Sequence, residues 1–279
     1  MYTAVFGITC LLLPLLGSGQ FIDMSCGIRA PDPSLMRVQN GTVARMTSSP
    51  WMVFLHSTAG RFVCGGTLIT HRLVLTAAHC LFPGTELIAR LGEYDREDFE
   101  QCHGSYCLFR TEANVERAFK HRYYDPGTMV NDIAILRLAK RVEYTDSIRP
   151  ICIVWTTRWR NYINSLTPLT GTGWGVTESA NDSAKLNTVD LNRQPPEICR
   201  LYTTRTITNT QFCAGNWASN LCNGDSGGPV GALIQFQKTQ RFIQVGIASY
   251  TNKACSKASV FTDVLSFVDW ILKVQTYHS

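Results

Sequence analysis

Gly224-Asp225-Ser226-Gly227-Gly228-Pro229 sets one serine among glycines, directly after an aspartate. A serine so placed can sit on a tight turn with its hydroxyl exposed, and its small neighbours let another backbone come close. Ordinary turns share that composition. A serine hydroxyl is a weak nucleophile and needs a base beside it. Of the six histidines, His79 has the most telling context, Leu75-Thr76-Ala77-Ala78-His79-Cys80. Small residues precede it, and Cys80 can pin its loop covalently. A third stretch, Asn131-Asp132-Ile133-Ala134-Ile135-Leu136, puts an aspartate at the head of an apolar run. A carboxylate there is costly unless it is hydrogen-bonded. Orienting a histidine would meet that need; a strand-start cap is the plainer reading.

Around these stretches the chain alternates short apolar, β-branched runs with turn residues. Trp51–Leu55, Leu73–Thr76, Ile133–Leu136, Gln244–Ala248 and Ser259–Phe261 are such runs. This spacing predicts an all-β barrel or sandwich. The end differs: Val264, Phe267, Val268, Ile271 and Val274 recur at helical spacing and predict one C-terminal helix.

The order His79, Asp132, Ser226, with all three contexts intact, closely resembles the trypsin/chymotrypsin-like serine proteases. Thr172-Gly173-Trp174-Gly175 is similar to another of that family's core motifs. The resemblance runs from Val38 to about the C-terminus. It implies two six-stranded antiparallel β-barrels, roughly 38–150 and 151–279, with the active site in the cleft between them. The chain order of the three residues is that of the chymotrypsin type. By resemblance Ser226 is the nucleophile, His79 the general base and acid, and Asp132 the group that orients the imidazole. The N–H groups of Gly224 and Ser226 would form the oxyanion hole. Ser249 would support the aspartate. No metal or organic cofactor is expected.

The resemblance also implies a zymogen. Met36-Arg37-Val38-Gln39 looks like an activation site, with cleavage after Arg37 freeing the amine of Val38 to pair with Asp225. Gln39 departs from the aliphatic residue usual there. Residues 20–37 form a leader of which few side chains are expected to join a core. The implied disulfides are Cys64–Cys80, Cys199–Cys213, Cys222–Cys255, Cys26–Cys152 and a local Cys102–Cys107. The segment holding that local pair is similar to catalytic domains of arthropod clip-type proteases. A leader whose one cysteine is Cys26 is expected to hold no clip domain.

Specificity departs from trypsin. The position of the pocket-base aspartate is Asn220, and an amide cannot pair with a substrate Arg or Lys. Thr251 and Ser259 stand where trypsin has glycines, which predicts a narrowed pocket for small or medium uncharged residues. Glu93 matches a residue that binds calcium in some members; a solvated surface carboxylate is the expected reading.

Length and composition fit these expectations. The chain has 279 residues, 45% of them hydrophobic and 17% charged, ample for a core. Its net charge of +5 comes from scattered residues, which gives no support to nucleic-acid binding. Val5–Leu16 is an apolar run too short to span a bilayer, which needs about 20 residues. Gly17-Ser18-Gly19 follows it, so residues 1–19 read as a secretory signal peptide. Cys10 lies inside the signal, and the cysteines left are even in number, as disulfides in a secreted chain require. Zinc is the competing reading, with Cys102, His103 and Cys107 its nearest approach to a ligand set. Asn40 and Asn181 fit the N-glycosylation pattern. The expected partners are a protein substrate, an activating protease and a protein inhibitor, without a membrane. The alternative is a non-catalytic binding protein on the same fold.

Overall fold

Strands with one apolar face must bury it, and short strands joined by tight turns do so by closing on themselves. The computed structural model describes residues 20–30, 42–98, 101–103, 106–175, 183–203, 205–216, 221–222, 224–252 and 258–279. Arg37, Val38, Gln39, Asn40, Asn181, Asn220 and Cys255 lie outside them, as does the signal segment.

The first strands are β1 (Thr42–Val43), β2 (Met52–Ser57), β3 (Phe62–Leu68), β4 (Leu73–Thr76), β5 (Leu87–Leu91), β6 (Cys102–His103), β7 (Tyr106–Cys107), β8 (Thr111–Lys120) and β9 (Ala134–Leu138). The rest are β10 (Leu169–Gly173), β11 (Asn187–Gln194), β12 (Gln211–Gly215), β13 (Pro229–Phe236), β14 (Thr239–Tyr250) and β15 (Ser259–Asp263). The helices are α1 (Arg160–Ser165), α2 (Pro196–Arg200) and α3 (Val268–His278). One barrel closes in the order β2-β3-β4-β9-β8-β5. The other runs β11-β10-β13-β14-β15-β12 and closes through β12 onto β11. All barrel pairings are antiparallel. The expected pair of six-stranded barrels with a C-terminal helix is therefore present.

Three segments cross between the halves that the sequence suggested. β1 precedes the first barrel in the chain but pairs with β11 of the second. α3 follows the second barrel but packs Ile271 and Val274 into the first core. Of the described leader residues, two hydrophobic side chains are buried in the second barrel, Cys26 through its expected bond to Cys152 and Phe21, which the sequence did not single out. Phe21 meets Phe236 edge-on at 4.8 Å, and Gly27 N donates to Pro150 O at 2.8 Å.

The barrels meet through apolar and polar contacts alike. Trp51 stacks on Phe242 at 4.9 Å, and Thr67 Oγ1 donates to Gln244 Oε1 at 2.8 Å in a buried bond. Cys26–Cys152, Cys64–Cys80, Cys102–Cys107 and Cys199–Cys213 are disulfides. Cys222 is disulfide-bonded as well, and its expected partner Cys255 lies outside the described residues. The covalent Cys102–Cys107 bond removes the zinc reading of that segment.

Candidate active site

His79 lies on a single 3-10 turn, Ala78–Cys80, that follows β4. The Cys64–Cys80 bond ties this turn to β3. Asp132 ends the loop before β9 and is completely buried. Its Oδ1 accepts from His79 N at 2.9 Å, and its Oδ2 lies 2.7 Å from His79 Nδ1. Ser249 Oγ donates to the same Oδ2 at 2.5 Å. Thr262 Oγ1 donates to the Asp132 carbonyl at 2.9 Å, fixing the main chain as well. The buried carboxylate thus has the partners that burial demands. Thr262 is a residue that sequence reasoning missed, because a threonine inside a strand carries no signal of its own.

Ser226 comes from the second barrel and is half-buried. Gly65 N, on β3, donates to its carbonyl at 2.8 Å. Gly227 has φ +77°, and a Cβ there would sit 2.3 Å from Thr76 Oγ1 and 3.2 Å from Cys80 Sγ. Only glycine fits, so the serine turn packs against the disulfide beside His79. No hydrogen bond joins the Ser226 hydroxyl to His79 among the described residues. The N–H groups of Asp225, Gly227 and Gly228 bond to Cys222 O, Ala248 O and Asp225 O. Those of Gly224 and Ser226 have no such acceptor among the described residues.

Asp225 is buried, with Oδ1 accepting from Gly175 N and Oδ2 from Cys222 N, each at 2.8 Å. A Cβ on Gly173 would meet its Oδ1 at 2.0 Å, and one on Gly175 its Oδ2 at 2.4 Å. The Thr172–Gly175 motif is thereby explained as the slot for this carboxylate.

Of the predicted specificity residues, Thr251 and Ser259 lie within the described residues and Asn220 lies outside them. Ser259 is buried at the start of β15 and donates to Leu221 O at 3.4 Å. Tyr250 Oη, Thr251 Oγ1 and Asn252 Oδ1 are buried without a hydrogen-bond partner among the described residues. Arg205 lies over the Tyr250 ring at 5.1 Å, and its Nε donates to Gly127 O at 3.0 Å. Arg205 was not legible in the sequence, since both of its contacts are long-range.

Glu93 was expected as a solvated surface carboxylate, and the structure corrects this. Its side chain is fully buried, 3.1 Å from Arg90 Nη1 and 3.2 Å from Arg110 Nε. Burial pushes its carboxyl above the usual range, against the pull of Arg110 and Arg90. With guanidinium groups facing both oxygens, these residues do not fit a calcium ion, which takes free carboxylate and carbonyl oxygens. The ligand atoms of Cys64, His79 and Cys80 also lie within 4.8 Å of one another, but the two sulfurs are bonded to each other.

Comparison with known proteins agrees with this geometry. The chain is 34% identical to phenoloxidase-activating enzyme 1 of Spodoptera litura, over 88% of this chain and 68% of that protein. It is 31% identical to serine protease grass of Drosophila melanogaster, over 84% of this chain and 67% of that one. The crystal structure of the Drosophila Grass clip serine protease of the Toll pathway superposes with a TM-score of 0.82. It does so at 29% identity, covering 93% of this chain and 77% of the other. The trypsin family model matches residues 38–271, which together with the two barrels and the His79–Asp132 pair places this chain in the trypsin family of serine proteases.

Proposed function

We propose that the chain is a secreted serine endopeptidase made as a zymogen and activated by cleavage after Arg37. The observation that carries this reading is the hydrogen-bonded His79–Asp132–Ser249 set, completely buried at Asp132, beside a serine turn whose Gly224 and Ser226 N–H groups have no acceptor among the described residues. In the proposed reaction Ser226 Oγ attacks the carbonyl carbon of the scissile bond and His79 Nε2 accepts its proton. Asp132 holds the Nδ1 proton and stabilises the imidazolium. The Gly224 and Ser226 N–H groups receive the developing oxyanion, an interaction worth about 3–4 kcal/mol per donor. Collapse expels the amine, which takes the proton from His79, and leaves an acyl-enzyme on Ser226. Water, activated by His79, then releases the acid. Protein substrates and an activating protease are the partners; the names of the matched relatives include a phenoloxidase-activating enzyme and a proclotting enzyme.

For the residue before the scissile bond we propose a small or medium uncharged side chain. Asn220 offers no charge to a cation, and Thr251 and Ser259 place side chains where trypsin has none.

The test is a cleavage profile. The secreted chain is cut after Arg37, mixed with a diverse peptide pool, and its products are mapped by mass spectrometry against Ser226→Ala. Cuts after small or medium uncharged residues, absent from the variant, are expected. Cuts after Arg or Lys would overturn the pocket reading alone. A profile identical to Ser226→Ala would overturn the catalytic reading in favour of a binding role.

A further inference from the structure

Glu93, Asp95 and Asp98 offer oxygen atoms to one guanidinium, that of Arg110. Arg110 Nε faces Glu93 Oε1 at 3.2 Å, and Nη2 donates to Asp95 O at 2.5 Å and to Asp98 O. One carboxylate and two main-chain carbonyls converging on a point are the donors a hard cation takes. Here they converge on a side chain, whose planar fork can serve several acceptors at once.

The surroundings confine that arrangement. Gln101 is almost fully buried; its Oε1 accepts from Tyr94 N and Asp95 N, and its Nε2 donates to Gly92 O. Leu108 N donates to Gln101 O at 3.1 Å. The Cys102–Cys107 bond closes the hairpin of β6 and β7, and so sets where Arg110 leaves it. Among the described residues Glu93 faces both Arg90 and Arg110, and Arg90 Nε donates to Glu112 Oε1 at 2.7 Å. A divalent ion entering here would meet two guanidinium groups.

We propose that Arg110 is an internal cation standing where calcium would bind, so that Glu93 and the Asp95 and Asp98 carbonyls are held together without metal and depend on the guanidinium. Removing Arg110 takes away the positive charge facing Glu93 Oε1 and leaves that oxygen and the Asp95 and Asp98 carbonyls around the vacated space. The arginine then conceals a latent calcium site. The consequence reaches the active centre through Tyr94, whose carbonyl accepts from Trp174 Nε1 at 3.2 Å and from Leu186 N at 2.8 Å. Trp174 precedes the Gly175 N–H that binds Asp225.

The experiment is thermal unfolding of the whole secreted chain at matched ionic strength, in EDTA, in about 5 mM magnesium, or in about 5 mM calcium, above the millimolar range of extracellular sites. The wild type is expected to melt at one temperature in all three. Arg110→Ala is expected to melt at least about 4 °C lower in EDTA and magnesium, and to recover part of the loss in calcium alone. Arg110→Lys, which keeps the charge and loses the fork, is expected to melt lower with no calcium response. If Arg110→Ala does not fold, Arg110→Gln replaces it with the same expected outcome. A wild type stabilised by calcium would overturn the proposal. So would an uncharged variant equally stable in EDTA and calcium, because an arginine that merely packs leaves no site behind.

Discussion

Asp132 shows how much one buried carboxylate can organise. Its two oxygens accept from His79 twice and from Ser249 once, so the imidazole is held in place and in tautomer. Asparagine keeps the shape but presents an N–H₂ group where an acceptor is needed. Asp132→Asn is expected to lower kcat by about 10⁴-fold with little change in KM. Ser249→Ala removes one donor worth about 1.5 kcal/mol to a charged acceptor, and is expected to slow turnover roughly tenfold. Steady-state kinetics on an uncharged peptide ester, normalised to folded protein, checks both. Undiminished turnover in Asp132→Asn would mean that something else orients His79. His79 and Asp132, which the structure pairs, and Ser226 stood out as candidates because each sits in a short, unusual local context. Thr262 and Arg205 did not, because their partners, the Asp132 and Gly127 carbonyls, are far away in sequence.

α3 belongs to the scale of elements. Its apolar spacing was readable, yet the first turn, Val264–Phe267, is 3-10, since Asp263 Oδ1 accepts from Ser266 N at 3.0 Å and tightens the start. What the spacing did not reveal is the surface it docks on. His121, just past β8, meets Phe267 and Trp270 edge-on at 5.2 and 5.3 Å. Burial, aided by Arg122, lowers its pKa from 6.5. A lowered folded value means the unfolded chain binds the proton more tightly. Stability from this site is therefore intact above about pH 6.5 and is lost as pH falls toward the folded value. The wild type is expected to lose more melting temperature between pH 7.5 and 5.5 than His121→Phe does. Parallel pH profiles from calorimetry of the two proteins would disprove it.

At the scale of the molecule, the chain crosses between its barrels and binds them together. The leader is held by the Cys26–Cys152 bond, by buried Phe21, and by Tyr144, whose hydroxyl donates to Asp23 Oδ2 at 2.6 Å. Arg241 Nη1 adds a bond to Cys26 O at 2.7 Å. Cleavage after Arg37 is thus expected to yield two pieces that part on a reducing denaturing gel and migrate as one without reductant. Phe21→Ala is expected to lower stability by about 3–5 kcal/mol in urea unfolding. A loss under about 1 kcal/mol would return the leader to the status of a loose tether.

The sequence by itself determined what local chemistry can specify. A serine turn built of glycines, a histidine beside a cysteine, an aspartate heading an apolar run and the period-two strands each carry their meaning within a few residues. The final helix was equally plain from its spacing. Only the tertiary structure decided which charges meet. Glu93 reads as a surface carboxylate until β5 and the Cys102–Cys107 hairpin bring Arg90 and Arg110 to it. Phe21 reads as part of a leader tethered through Cys26, and only the fold shows that β13 offers it Phe236. The Glu93–Arg110 pair and the Phe21–Phe236 contact join residues distant in sequence, and their energy, like that of the local Arg90–Glu93 pair, depends on burial that no local pattern contains.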